Sequence, residues 1–168
     1  MARFACIVVA LFPFLFVLSN SDGTGGTGGD CGVKCVYAVL RLYKKEVDFR
    51  MLAPKYITSR HGSSIGDLVD ALQSSGLHVY PVKNLRMWHL RKSTLPIILH
   101  MRSERGAGPY DHFQLLLPSK DRSHLLYDPS SGLHKLDMMA LLLRWQGVGI
   151  VVSQQPAEIK SLYPRATL

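Results

Sequence analysis

The sequence predicts an α+β fold in which helices come first and a mostly antiparallel sheet follows. Two patterns carry this. Apolar residues recur at helical spacing through the first half of the chain, and from His78 onward they gather into short Leu-, Ile- and Val-rich runs bounded by turn residues. Helices followed by strands, without strict alternation, is the order of an α+β domain. A third observation bounds the size. With 168 residues, 47% hydrophobic and 19% charged, the chain suffices for one cored domain plus an appendage and is too apolar for disorder.

Taken in order, residues 1–21 have the layout of a secretory signal peptide: a short positive start, an apolar run over residues 4–18, and small residues at Ser19 and Ser21. The run is short for a membrane span, which needs about 20 residues. Cleavage after Ser21 is expected, and an uncleaved N-terminal membrane anchor is the second reading. Either way the remainder works outside the cytoplasm, as a secreted or periplasmic protein. Residues 22–29, Gly and Thr after Asp22, read as a flexible linker. Residues 30–153 form the domain, and residues 154–168 a polar, frayed tail.

Within the domain, Val33, Val36, Tyr37, Val39, Leu40 and Tyr43 predict a helix over 31–45, with Asp30 as its N-cap. A short helix is expected over 49–57. A third, with Ile65, Leu68, Val69 and Leu72 on one face, is capped by Ser63 or Ser64 and stopped by Gly76. The runs HVYPV, LPIILHM, HFQLLL, SHLLYD and VGIVVS read as strands. A small helix fits NLRMWHLRK, and a clear one fits KLDMMALLLRW. There is no internal repeat.

The charge balance is basic, +8 at neutral pH, but Lys and Arg are scattered and no nucleic-acid motif is present, so no nucleic-acid partner is predicted. The glycines of GTGGTGGDC do not make a phosphate loop. They follow no strand, and Asp30 and Cys31 stand where Lys and Ser/Thr would be required. The seven histidines show no HxxxH or CxxC context, so no metal or cofactor is predicted, and His100 reads as structural.

What remains is a thiol at a helix start. The positive end of the helix dipole favours thiolate there, and a thiolate nucleophile needs an imidazole base and a third group to orient it. Cys31 and Cys35, four apart on one helix, have nearly parallel Cβ bonds and would need distortion to bridge. The stretch 112–132 reads as a β-hairpin centred near Lys120, which sets His112 directly opposite Asp128 on one face. Asp111 would then point to the other face. Taken singly, each residue has a plain structural reading: a buried cysteine, a strand histidine, an aspartate that starts a turn before Pro129. Together they form a nucleophile–base–orienter set.

The stretches DCGVKCVYAVLRLY, GSSIGDLVDALQSSGLHVYPV, LPIILHM, HFQLLL and YDPSSG, in this order, resemble the bacteriocin-processing (double-glycine) cysteine peptidase domain over about residues 30–152. The resemblance implies a papain-like fold, Cys31 as nucleophile, His112 as general base, Asp128 as its orienter, and a peptide or protein as substrate. It has two departures. The family keeps a glutamine shortly before the nucleophile as an oxyanion donor, whereas this chain has TGGTGG, and losing one such donor typically costs about 10²–10³ in rate. Members fused to transporters also carry membrane helices and an ATP-binding domain, so this chain is expected to be a stand-alone exported relative, tethered to the membrane only if its apolar segment is retained. The expected activity is peptide-bond hydrolysis; a peptide-binding module without catalysis is the alternative.

Overall fold

The computed structural model describes residues 29–59, 62–102, 110–118 and 124–163. The predicted signal segment, nearly all of the linker, and the last five residues of the tail lie outside them. Three helices lead: α1 (Cys31–Leu42), α2 (Phe49–Tyr56) and α3 (Ile65–Ser74). Then follow β1 (His78–Val82), α4 (Met87–Lys92), β2 (Ile97–Arg102), β3 (Tyr110–Leu116), β4 (Leu125–Asp128), β5 (Gly132–Lys135), α5 (Met138–Arg144), β6 (Trp145–Ser153) and α6 (Ile159–Leu162). The strands form one antiparallel sheet in the order β1-β6-β2-β3-β4-β5. Pro81 is accommodated because β1 lies at the sheet edge, where a missing N–H breaks no inner ladder.

Helix α1 ends three residues earlier than its apolar pattern predicts. Lys44 turns left-handed (φ 56°) and the Lys45 N–H reaches back to the Leu40 carbonyl, a closing turn that stops the helix without glycine. Helix α3 starts as expected. The Ser64 hydroxyl accepts from the Asp67 N–H while the Asp67 carboxylate accepts from the Ser64 N–H, a reciprocal capping box.

The sheet separates two cores. On one face α1, α2 and α3 pack Val33, Val36, Val39, Leu68 and Leu72 against Ile98, Phe113, Leu115 and Ile150. On the other, Leu90, Leu141, Ile159 and Tyr163 close over Ile97, Leu99, Leu116, Leu126 and Val151. Two expectations need correction here. The strand β5 was not foreseen, because GLHK is short and half-exposed and carries little apolar signal. The tail is not frayed up to Tyr163. Ile159 and Tyr163, one helical turn apart, are buried, and the Tyr163 hydroxyl shares a 2.8 Å hydrogen bond with Ser93 Oγ. No helix among the described residues is long and apolar enough to cross a membrane.

Candidate active site

Cys31 is the first residue of α1 and is largely buried. Asp30 occupies the N-cap position, as expected, but does not cap. Its backbone is already helical, and its carboxylate pairs with Lys34 Nζ at 2.9 Å instead. The first-turn N–H groups therefore have no side-chain cap from Asp30, which leaves the positive end of the helix toward Cys31. Gly32 sets the depth of this end. A Cβ there would lie 3.0 Å from Leu68 Cδ2 and 3.1 Å from Phe113 Cδ2, so a side chain would push both back by a few tenths of an ångström, and glycine lets the helix start press close against α3 and β3.

His112 follows a bulge. Met101 pairs with His112 but Arg102 pairs with Tyr110, so Asp111 is an extra residue in β3. Bulges bend a strand and re-aim its side chains, and they recur beside active sites. The expected orientation of the Asp111 side chain lies outside the described residues. The His112 imidazole bonds Asp128 Oδ2 through Nε2 at 3.0 Å, and the Cys31 side chain is its other hydrogen-bonding neighbour.

The three predicted residues thus come together, but not by the predicted pairing. Leu115 pairs with Tyr127 and Leu116 with Leu126, and this register sets Gln114, not His112, opposite Asp128. The hairpin is centred later than near Lys120. The contact survives because the slip is two residues in the pairing, an even number, which keeps His112 on the Asp128 face as a diagonal neighbour.

Two partners of Asp128 were not foreseen. Gln114 Nε2 donates to the same Oδ2 that meets His112, and Ser130 donates to Oδ1 through both its N–H (2.7 Å) and its hydroxyl (2.6 Å). The carboxylate therefore serves as both the turn residue its Asp-Pro context implies and the partner of His112, one oxygen for each. The signal available in the sequence was a lone glutamine inside the apolar run HFQLLL.

The electrostatics follow from these contacts. Burial pushes the His112 imidazole down, but the hydrogen bonds to Asp128 and Cys31, with the negative charge at both, outweigh it and lift its pKa to about 9. Burial pushes the Asp128 carboxyl up, yet His112 and Ser130 hold it well below the usual carboxylate range. Cys35, one turn further along α1, is the opposite case. It is fully buried, and burial, with the charges of Cys31 and Asp128, pushes its thiol well up. Both cysteines are free thiols. His100 stacks on Phe113 with ring centroids 4.8 Å apart, in keeping with a packing role. A cavity of about 400 Å³ opens behind Asp128 and Gln114, toward β5 and α5.

One further contact fixes the approach to Cys31. Gly62, with φ +102°, lies so close to Gly29 that a Cβ would come within 2.3 Å of the Gly29 carbonyl oxygen. The loop before α3 thus buttresses the chain two residues ahead of the thiol.

The Peptidase C39 family pattern matches residues 26–157, all of the domain. Among proteins, the chain is 25% identical over 132 residues to the lactococcin-G-processing and transport ATP-binding protein LagD of Lactococcus lactis subsp. lactis, covering 78% of this chain. It is 23% identical over 123 residues to the colicin V secretion/processing ATP-binding protein CvaB of Escherichia coli, covering 73% of this chain. It spans only 18% and 16% of those relatives' own lengths. Among solved structures, a double glycine motif protease from an AMS/PCAT transporter, in complex with its leader peptide, superposes with a TM-score of 0.64 at 23% identity, covering 76% of this chain and 86% of that one. The peptidase domain of Streptococcus ComA, a bi-functional ABC transporter, gives 0.64 at 19% identity, covering 75% and 92%. Matched across its whole domain by the family pattern, and sharing the fold of these peptidase domains, the chain belongs to the Peptidase C39 family.

Proposed function

We propose that this protein is a cysteine peptidase that cuts peptide bonds through Cys31, His112 and Asp128. The observation that carries this is the imidazole of His112 held between a thiol at a helix N-terminus and an ionised, fourfold hydrogen-bonded carboxylate. The thiol gives its proton to His112, so that a thiolate stands beside an imidazolium when the substrate is attacked. The thiolate attacks the scissile carbonyl carbon, and the oxyanion is met by the Cys31 backbone N–H at the helix start. His112 gives its proton to the leaving amine, the C–N bond breaks, and a thioester remains. His112 then takes a proton from water, whose oxygen attacks the thioester and releases the acid and the thiolate. Asp128 holds the ring in place and stabilises the imidazolium throughout.

The substrate is a peptide cleaved after small residues, with a double-glycine leader as the leading candidate, because a solved structure of the same fold is a double glycine motif protease in complex with its leader peptide. The basic, apolar N-terminus supports export of this chain, which a fusion to a reporter active only outside the cytoplasm would test. For the activity itself, a peptide library containing Gly-Gly and Gly-Ala sites should be cut by the wild type and not by Cys31→Ala, with a fall of about 10⁴-fold or more. Iodoacetamide should modify Cys31 rapidly near neutral pH and much more slowly in His112→Ala. A Cys31 that reacts like an ordinary thiol, indifferent to His112→Ala, overturns the proposal. A reactive Cys31 with no cleavage of any peptide favours a binding module in which the TGGTGG stretch has replaced the oxyanion glutamine.

A further inference from the structure

Gln114 is a buried amide in a strand that has no apolar reason to hold one. It is 2% exposed and followed by Leu115, Leu116 and Leu117. Burying an amide without partners is costly, so what it bonds to matters. Its Nε2 donates to Asp128 Oδ2 at 2.5 Å, while His112 Nε2 meets the same oxygen at 3.0 Å. The register explains how it gets there: Gln114 stands opposite Asp128 and His112 is the diagonal neighbour. The other oxygen is already fixed by two donors from Ser130, so the orientation of the carboxylate does not depend on Gln114. What Gln114 alone controls is how much of the charge on Oδ2 is left for the imidazolium.

We propose that Gln114 is a positioning residue of this site: by sharing Oδ2 with His112, it limits how tightly Asp128 holds the protonated ring. The inference rests on the peptidase reading, in which that proton must leave for the departing amine. A neutral donor on a carboxylate stabilises the anion and lowers its pull on a second donor. With Gln114 in place, His112 is protonated enough to pair with the thiolate yet able to release its proton during acylation.

The test follows the titration of the His112 ring by NMR in the full chain, wild type against Gln114→Met, which keeps the volume and removes the donor. His112 should hold its proton about 3–10-fold more tightly in the variant, and kcat on a cleaved peptide should fall with KM little changed. Gln114→Leu, which also fills the site and lacks the donor, should displace the titration in the same direction, and carries the test should the Met variant fail to fold. Among the described residues, the other groups facing the pair are Cys31 and Cys35 on α1, Tyr127 on β4, and His134, Asp137 and Arg144 across the cavity. All are unchanged between the chains compared, so the difference isolates position 114. A merely structural glutamine would alter Tm and leave the titration where it was; that result, or a shift to lower pH, overturns the proposal. Failure of the peptidase reading is seen separately, as an unreactive Cys31 in the wild type, and leaves the titration readable.

Discussion

Cys31 and Cys35 lie one turn apart on the same helix and have the same side chain, yet they belong to chemically different regions. Around Cys31 the helix has just begun, His112 is within hydrogen-bond reach, and the sheet contributes a carboxylate with four donors. Cys35 is enclosed by the apolar core, and burial is the largest cause of the rise in its thiol pKa. On the proposed mechanism, reactivity is not a property of the cysteine but of where along the helix it falls relative to β3. Gly32 and the bulge at Asp111 are the two local devices that bring the first turn, and not the second, against the imidazole.

The largest expected effect exploits this contrast directly. Iodoacetamide applied to the native protein should label Cys31 at least about 10³-fold faster than Cys35, since Cys35 becomes reachable only when the core opens. Mass spectrometry of peptides from a labelling time course would measure both rates. Comparable rates would break the comparison and imply that α1 opens readily at its second turn.

A smaller effect probes the loop that approaches the thiol. Gly62→Ala places a Cβ against the Gly29 carbonyl at a φ that side chains rarely adopt, and should cost about 2–4 kcal/mol. Denaturant unfolding measures the loss. If Gly62 positions the chain before Cys31, labelling of Cys31 in the folded variant should change while the protection of Cys35 does not. An unchanged Cys31 rate would restrict Gly62 to a structural role.

How much of this was readable beforehand depends on how local each feature is. The start of α1 was legible from its apolar spacing, and the Ser64 cap because Ser64 and Asp67 are three residues apart. That His112 and Asp128 share a face was legible too, because a hairpin preserves faces under even shifts. The register itself was not, since a loop of polar residues such as 118–123 does not dictate its own centre. Gln114 and Ser130 carry no local signal for the same reason: their value lies in a single carboxylate that is close only after the strands have paired. The edge strand β5 and the buried turn at Ile159 and Tyr163 rely on packing from distant elements, and their own sequence carries almost no signal.

The smallest effect separates the two regions along the pH axis. His112 has a folded pKa of about 9 against an ordinary 6.5, so its protonation supports the fold fully below 6.5 and is lost progressively as pH rises through about 9. Asp128, held below its ordinary 3.8, contributes above that value and loses its contribution as pH falls. Cys35, raised from 9.0, keeps its proton in the folded core while the unfolded thiol ionises, so its contribution is lost only above pH 9. Of these three groups only His112, at the Cys31 end, changes its contribution between 6.5 and 9, by about 1–2 kcal/mol. Unfolding free energies measured across this range should fall for the wild type and for Cys35→Ala. They should be nearly flat for Asp128→Asn, which removes the main support of the imidazolium. A slope that persists unchanged in Asp128→Asn would mean that His112 does not depend on that carboxylate, and the pairing that distinguishes the first turn of α1 from the second would have to be sought elsewhere.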